Sequence, residues 1–300
     1  MLLVLGLVAC ADREAAPRRS GSAPRIVSLH DVTTEIVVAL GASDRLVGIG
    51  ELVDATAEVK DRMAGTPRVA GLESILVRRP DIVLGLEIVG ERDPELVAQL
   101  RDRGIAVYLA DPATLDDVYA MTRAVAVRAG ATGAGERVVA ELRARIERSI
   151  DTAAREGNAS RRPRVFVYDC CDPPFTAGGD TVLTDVIARV GGDNVFADLA
   201  TDWTTVSWEA VSLRRPDVVV IHAYAMAGQG DVVDKRRTLA SRSALAQLPT
   251  IVLPLGWSLG GLRSVEALER LRGAMSGEMR GAMVAPQHTT MARVFPEVAR

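Results

Sequence analysis

Glu73-Ser74-Ile75-Leu76-Val77-Arg78-Arg79-Pro80-Asp81-Ile82-Val83 returns without a gap as Glu209-Ala210-Val211-Ser212-Leu213-Arg214-Arg215-Pro216-Asp217-Val218-Val219. In each copy a short amphipathic run ends at a Pro, which cannot continue a helix, and a buried parallel strand starts at the Asp. Two copies this far apart are too few for a solenoid, whose units recur every ~20–50 residues. The duplication predicts two α/β lobes of related construction, with the function lying between them.

Outward from the repeats the chain alternates strand and helix, the pattern of a parallel sheet flanked by helices. Arg25–Leu29 reads as a strand, followed by a helix that Asp31 can cap and Gly41 closes. Strands are expected at 45–49, 81–84 and 105–109, with a helix from Pro94 to Arg103. A helix over 115–129 precedes a longer one from Ala134 to Arg155, where Val138, Leu142, Ile146 and Ile150 recur every fourth residue. At 1.5 Å per residue, that stretch is roughly 33 Å long and can cross a small domain. The second lobe restarts at Arg164. It is expected to hold helices at 181–190, 239–248 and 264–275, and strands at 218–221 and 251–253.

With 300 residues, 48% hydrophobic and 25% charged, the chain suits a globular protein of two domains. A net charge of −3 leaves no electrostatic footprint for nucleic acid. The apolar start Met1–Ala9 is too short to span a bilayer but suits a secretion signal, and a polar tether follows it. Cys170 and Cys171 are adjacent, so a disulfide between them would be strained, and three cysteines make no disulfide framework.

Ligands in parallel α/β lobes sit beyond the carboxyl ends of the strands. Those ends offer His30, Asp31, Glu51, Leu86 and Glu87 in the first lobe. In the second they offer Asp169–Asp172 with Cys170 and Cys171, then Phe175, Trp203, His222, Tyr224 and Trp257. Aromatics are only 4% of the chain, so a Trp at such an end is a candidate platform for a planar ligand, against its packing alternative. The histidines, cysteines and carboxylates could bind a transition metal, but none has the spacing of a zinc site, and no metal site is assigned. Thr176-Ala177-Gly178-Gly179-Asp180-Thr181 could hold an anion on free amides, although a plain turn with Asp180 or Thr181 as cap is preferred. The chain has no Gly-x-Ser-x-Gly elbow and no zinc-protease helix, so an enzyme is not expected.

Arg25-Ile26-Val27-Ser28-Leu29 with Thr34-Glu35-Ile36 and Leu40-Gly41, the two repeats, and Gly191-Gly192-Asp193-Asn194-Val195-Phe196 together carry a resemblance. Over about residues 24–275 the chain resembles the periplasmic substrate-binding proteins of ABC importers for iron–siderophores, haem and vitamin B12. That resemblance implies two Rossmann-like lobes joined by one long backbone helix. The expected division is a signal and tether at 1–22, a first lobe at 23–130, the helix within 131–160, a second lobe at 161–275 and a tail at 276–300. The ligand would be a metal chelate or corrinoid-type cofactor, with no resident cofactor and no chemistry performed on it. The partners would be an ABC permease and its ATPase. In this family a Glu on each lobe docks onto permease arginines, and Glu73 and Glu209 fall on those positions. Trp203 matches a cleft aromatic of the B12 binders, whereas Leu86 stands where they have a Trp. Leu7-Val8-Ala9-Cys10 is similar to a bacterial lipobox, which implies a periplasmic or extracytoplasmic lipoprotein held to the membrane through Cys10 alone. A lipid-anchored sensor and a two-domain enzyme with a cleft active site remain the alternatives.

Overall fold

The computed structural model describes residues 23–155, 162–224 and 232–275, with the backbone alone for 151–155. Cys10, the tail from 276 and the Gly228–Asp231 loop lie outside the described residues.

The first lobe runs β1 (Ile26–Ser28), α1 (Asp31–Ala39), β2 (Leu46–Ile49), α2 (Ala57–Arg62), α3 (Leu72–Leu76), β3 (Ile82–Leu86), α4 (Glu87–Arg92), α5 (Pro94–Asp102) and β4 (Ala106–Ala110). Then come α6 (Leu115–Arg128) and α7 (Thr132–Arg155). The second lobe holds β5 (Arg164–Tyr168), β6 (Phe175–Ala177), α8 (Val182–Arg189), β7 (Asp193–Asn194), β8 (Trp203–Thr205), α9 (Trp208–Leu213), β9 (Val218–Ala223), α10 (Val232–Ala240), β10 (Thr250–Pro254) and α11 (Ser264–Met275).

Each lobe is built on a four-stranded sheet, ordered β2-β1-β3-β4 in the first and β7-β5-β9-β10 in the second, all pairs parallel. The two orders are the same, with the first strand of each lobe second from the edge. The repeats explain part of this. Asp81 accepts from the backbone N–H of Arg25 at 2.7 Å, and Asp217 from that of Arg164 at 2.8 Å. Arg25 in turn donates to the carbonyls of Arg78 and Arg79, and Arg164 to that of Arg214. The same corner therefore ties the repeat to the opening strand in both lobes. Even the left-handed residue that ends each repeat helix matches, Arg79 at φ 46° and Arg215 at φ 44°.

Strand alternation divides the side chains between two faces. Ile26, Ile82, Leu84, Val165 and Val167 enter one apolar cluster that α1, α6, α7, α8 and α11 share between the lobes. Val27 and Val83 point the other way, under α3 and α5, in a separate cluster with Ile75 and Leu100. Phe166, Tyr168, Val219 and Ile221 do the same in the second lobe, covered by Trp208 and Val211 of α9. The repeat helices thus lie on the outer faces of their sheets. The long helix α7 is held against α11 by Arg145, which donates to Glu266 at 3.2 Å and to Glu269 at 2.7 Å. Burial raises the Glu266 carboxyl to about 7 despite that partner.

Some expectations shift. The helix expected at 239–248 lies instead at Val232–Ala240, and tight turns follow it. Leu239 and Leu245 are buried in the outer cluster and Leu248 packs against it, so these apolar residues are covered without one continuous helix to carry them. Asp31 does not cap α1, because His30 does.

Candidate functional site

The carboxyl end of β1 carries a network of hydroxyls. Buried Ser28 meets Thr33 at 2.8 Å and receives a hydrogen bond from Thr34 at 2.8 Å. Both threonines also donate to the His30 carbonyl. The Nδ1 of His30 accepts from the backbone N–H of Val32 at 3.2 Å, capping α1. With that lone pair used, a neutral His30 carries its proton on Nε2 and can donate from it. Burial, then the charge of Arg92, lowers it to about 4. Because the folded value lies below the ordinary 6.5, the unfolded chain binds more protons between those limits and stability falls as pH drops through that window. Asn keeps the cap without titrating, so His30→Asn should flatten the loss of urea midpoint between pH 7 and pH 4.5, an effect of about 1–3 kcal/mol. A slope equal to wild type would assign the loss to other groups. Glu51 after β2 and Glu87 at the start of α4 are both exposed on this lobe.

In the second lobe, neighbouring strands bring the chemistry together. The β5–β9 register pairs Tyr168 with Ile221, so Asp169 and His222 sit side by side, while β10 pairs Leu253 with His222 and leads on to Ser258. His222 is enclosed: Nδ1 meets Asp169 at 2.7 Å and Nε2 meets Ser258 at 2.9 Å. Tyr224 donates to the other Asp169 oxygen at 2.5 Å. Lys235 donates to the His222 carbonyl at 2.6 Å and lies 4.4 Å over the Tyr224 ring. Burial opposes the charge on Asp169, but its bonds to His222 and Tyr224, with Lys235 beyond, hold it below the usual carboxylate range. Burial lowers Lys235 to about 8 against the pull of Asp169. Burial and the Asp169 acceptor both raise Tyr224.

An antiparallel pair, β6 with β8, stands over this network and was not expected from the sequence. Its register sets Phe175 and Trp203 on diagonal positions, with rings stacked 6.1 Å apart at 23°. Trp203 also tilts against His222 at 5.6 Å. Trp203, Trp257 and Leu259 of the second lobe, and Ile88 of the first, are partly buried against the shared core. Phe175, Trp203 and Tyr224 are therefore gathered on one support, whereas Trp257 belongs to the turn after β10.

The lobes also touch through charge. Arg263, 6% exposed, donates to Glu35 of α1, 1% exposed, at 2.9 Å, and to the Asp54 carbonyl at 2.6 Å. A Cβ on Gly256 would lie 2.4 Å from that guanidinium, so the glycine is what lets Arg263 lie there. Burial pushes the Glu35 carboxyl up while Arg263 pulls it back. Asp31, also buried, is raised for the same first reason and accepts from the Asp54 N–H at 2.6 Å.

Two alternatives that the sequence left open are resolved. Cys170 and Cys171 are joined to each other in the turn between β5 and β6, where Cys171 adopts φ 76°. As a disulfide they are not thiolate ligands. The Gly178–Asp180 amides donate to the carbonyls of Asp202, Leu199 and Thr201 at 2.6, 2.7 and 3.0 Å, so none is left for an anion. A Cβ on Gly178 would meet the Thr201 oxygen at 2.4 Å, which is the close approach those glycines serve. Thr181 caps α8.

Sequence reading missed Ser258, Lys235 and the Glu35–Arg263 pair. Glu35 carried a signal, because it is a charge in the middle of the apolar helix Asp31-Val32-Thr33-Thr34-Glu35-Ile36-Val37-Val38-Ala39 and a buried charge needs a partner. Ser258, His222 and Asp169 have the hydrogen-bond order of a nucleophile, base and acid. At 4, 0 and 5% exposure they are buried, with the Trp203 ring tilted against His222. Among the described residues no cluster of three or more His, Cys, Asp or Glu could hold a metal, and no helix is long and apolar enough to cross a membrane.

A family model described as periplasmic binding protein matches residues 26–251. The vitamin B12-binding protein of Yersinia pestis (strain Pestoides F) is 29% identical over 202 residues, 67% of this chain and 70% of its own length. The periplasmic haem-binding protein RhuT from Roseiflexus sp. RS-1 shares 31% identity and a TM-score of 0.71, over 85% of this chain and 99% of its own. The vitamin B12-binding protein BtuF of Vibrio cholerae, at 24% identity, shares the fold with a TM-score of 0.69, over 86% of this chain and 99% of its own.

Proposed function

Because this chain belongs to the periplasmic binding protein family, we propose that it is the solute-binding component of an ABC importer. It captures a flat metal macrocycle of the corrinoid or haem class between its lobes and delivers it to a permease. The observation that carries the ligand class is Trp203, half-buried, stacked on Phe175 and backed by His222. A rigid aromatic pair offers a planar ring large contact area at little entropic cost. The names of the B12- and haem-binding relatives support that class. His30, Glu51 and Glu87 would face the ligand from the first lobe. The Cys170–Cys171 turn, Phe175, Trp203, Tyr224 and Trp257 would face it from the second. The helix α7 would act as the rigid connector that limits closure to a small hinge. Cys10 would carry the lipid anchor on the extracytoplasmic side of the membrane.

Native mass spectrometry with an absorption spectrum of protein from its own host tests the reading. A bound species with a corrin or haem spectrum is expected, and a ferric siderophore would keep the import role but move the ligand class. Cyanocobalamin or haemin should quench tryptophan fluorescence, and Trp203→Ala should weaken binding more than tenfold, about 1.4 kcal/mol or more. An unchanged dissociation constant in the folded variant would remove Trp203 from the site.

A further inference from the structure

Among the described residues, the two most exposed large apolar side chains are Leu213 at 82% and Val77 at 71%. They occupy the same place in the two repeats, four residues after Glu209 and Glu73. Each Glu is the second residue of its helix, α9 or α3, and both are exposed. Residues four apart on a helix are neighbours on one face, so acid and apolar side chain form one patch. The opposite face of each helix is pinned inward by Val211 and Ile75, both 0% exposed. The same patch thus stands outward on both lobes.

We infer that Val77 and Leu213 are the apolar anchors through which the lobes seat on the two halves of the permease, beside Glu73 and Glu209; this rests on the import reading above. The duplication selects the partner. A partner with one contact would need one patch, whereas two matched patches on related lobes suit a partner whose own halves are related by a two-fold axis. A second copy of this chain would have to set its carboxylates against the exposed Arg79 or Arg215 and away from Glu73 and Glu209, and the mass in solution tests that pairing. The permease surface would therefore present, twice, a basic group beside an apolar hollow. A desolvated apolar residue beside a charge pair also excludes water from that pair, the arrangement that concentrates binding energy at interfaces.

The test compares V77D/L213D, V77A/L213A and E73A/E209A with wild type. Each is measured for binding to the host's permease–ATPase complex in nanodiscs, for cyanocobalamin and haemin affinity, for melting temperature and for mass in solution. V77D/L213D should weaken the permease complex at least tenfold and V77A/L213A severalfold, with macrocycle affinity and melting temperature unchanged. Wild-type permease affinity in V77D/L213D overturns the anchor role. If E73A/E209A nevertheless loses the complex, acidic docking survives and only the inference falls. If wild type forms no complex at all, the import reading falls and takes the inference with it. A wild-type dimer that V77D/L213D dissolves would assign the patches to a second copy instead and overturn the proposal.

Discussion

Arg263→Met will lower the unfolding free energy by about 3–5 kcal/mol at pH 8 and by distinctly less at pH 5. The arginine is the charged partner of Glu35 across the lobes, in a site where both are nearly excluded from water. Its removal leaves a carboxylate buried, next to Asp31, whose own carboxyl is already raised. Burial already pushes Glu35 upward with Arg263 present, and without it the shift must grow. A carboxyl raised in the folded state keeps its proton there after the unfolded chain has shed it. Stability is thus retained at acid pH and lost as pH rises through the folded value. Urea unfolding at the two pH values reads the effect. In Glu35→Met/Arg263→Met the uncompensated charge is gone, so most of the loss should be recovered, because a buried pair replaced by apolar groups is often neutral. A double variant as unstable as the single one would show that the pair matters for its shape and not its charge.

Glu73→Ala/Glu209→Ala will abolish uptake while leaving macrocycle affinity and melting temperature at wild-type values. Both glutamates are exposed on helices that cover the outer sheet faces, whereas Trp203 packs against the core shared between the lobes. Truncation there removes no packing. A charge pair at an interface is worth about 1–5 kcal/mol depending on its desolvation, so two lost pairs suffice to empty the complex at working concentrations. Glu73→Arg/Glu209→Arg should be worse, since repulsion is added to the lost attraction. Uptake at the wild-type rate by the alanine variant would exclude the docking role. Loss of macrocycle affinity would place these residues at the ligand instead.

Local pattern was enough for the duplicated architecture. A Pro stops each repeat helix whatever surrounds it, and apolar strands that need cover on both faces declare a parallel sheet. The helices over 115–128 and 264–275 were legible for the same reason, since a 3.6-residue period is written in the chain itself. Strand ends likewise pointed to His30, His222 and Tyr224, because the carboxyl edge of a parallel sheet follows from strand direction alone, whereas Trp203 opens a strand of an antiparallel pair instead.

Tertiary structure decided what those residues can do. Nothing local says that Asp169 and His222, 53 positions apart, meet at 2.7 Å, since that depends on β5 pairing with β9. The short strands β6 and β8 escaped notice because three residues each are too few to show a period, yet their pairing is what stacks Phe175 on Trp203. A plain turn was the preferred reading of Gly178–Asp180, but that its amides bond the carbonyls of Leu199, Thr201 and Asp202 depends on the fold. Glu35 and Arg263 are separated by 228 residues. Period and capping are properties of neighbours in the chain, so the sequence determined the longer elements of the parallel sheets and their order; partnership across strands and lobes is a property of the packed whole, and only the fold could decide it.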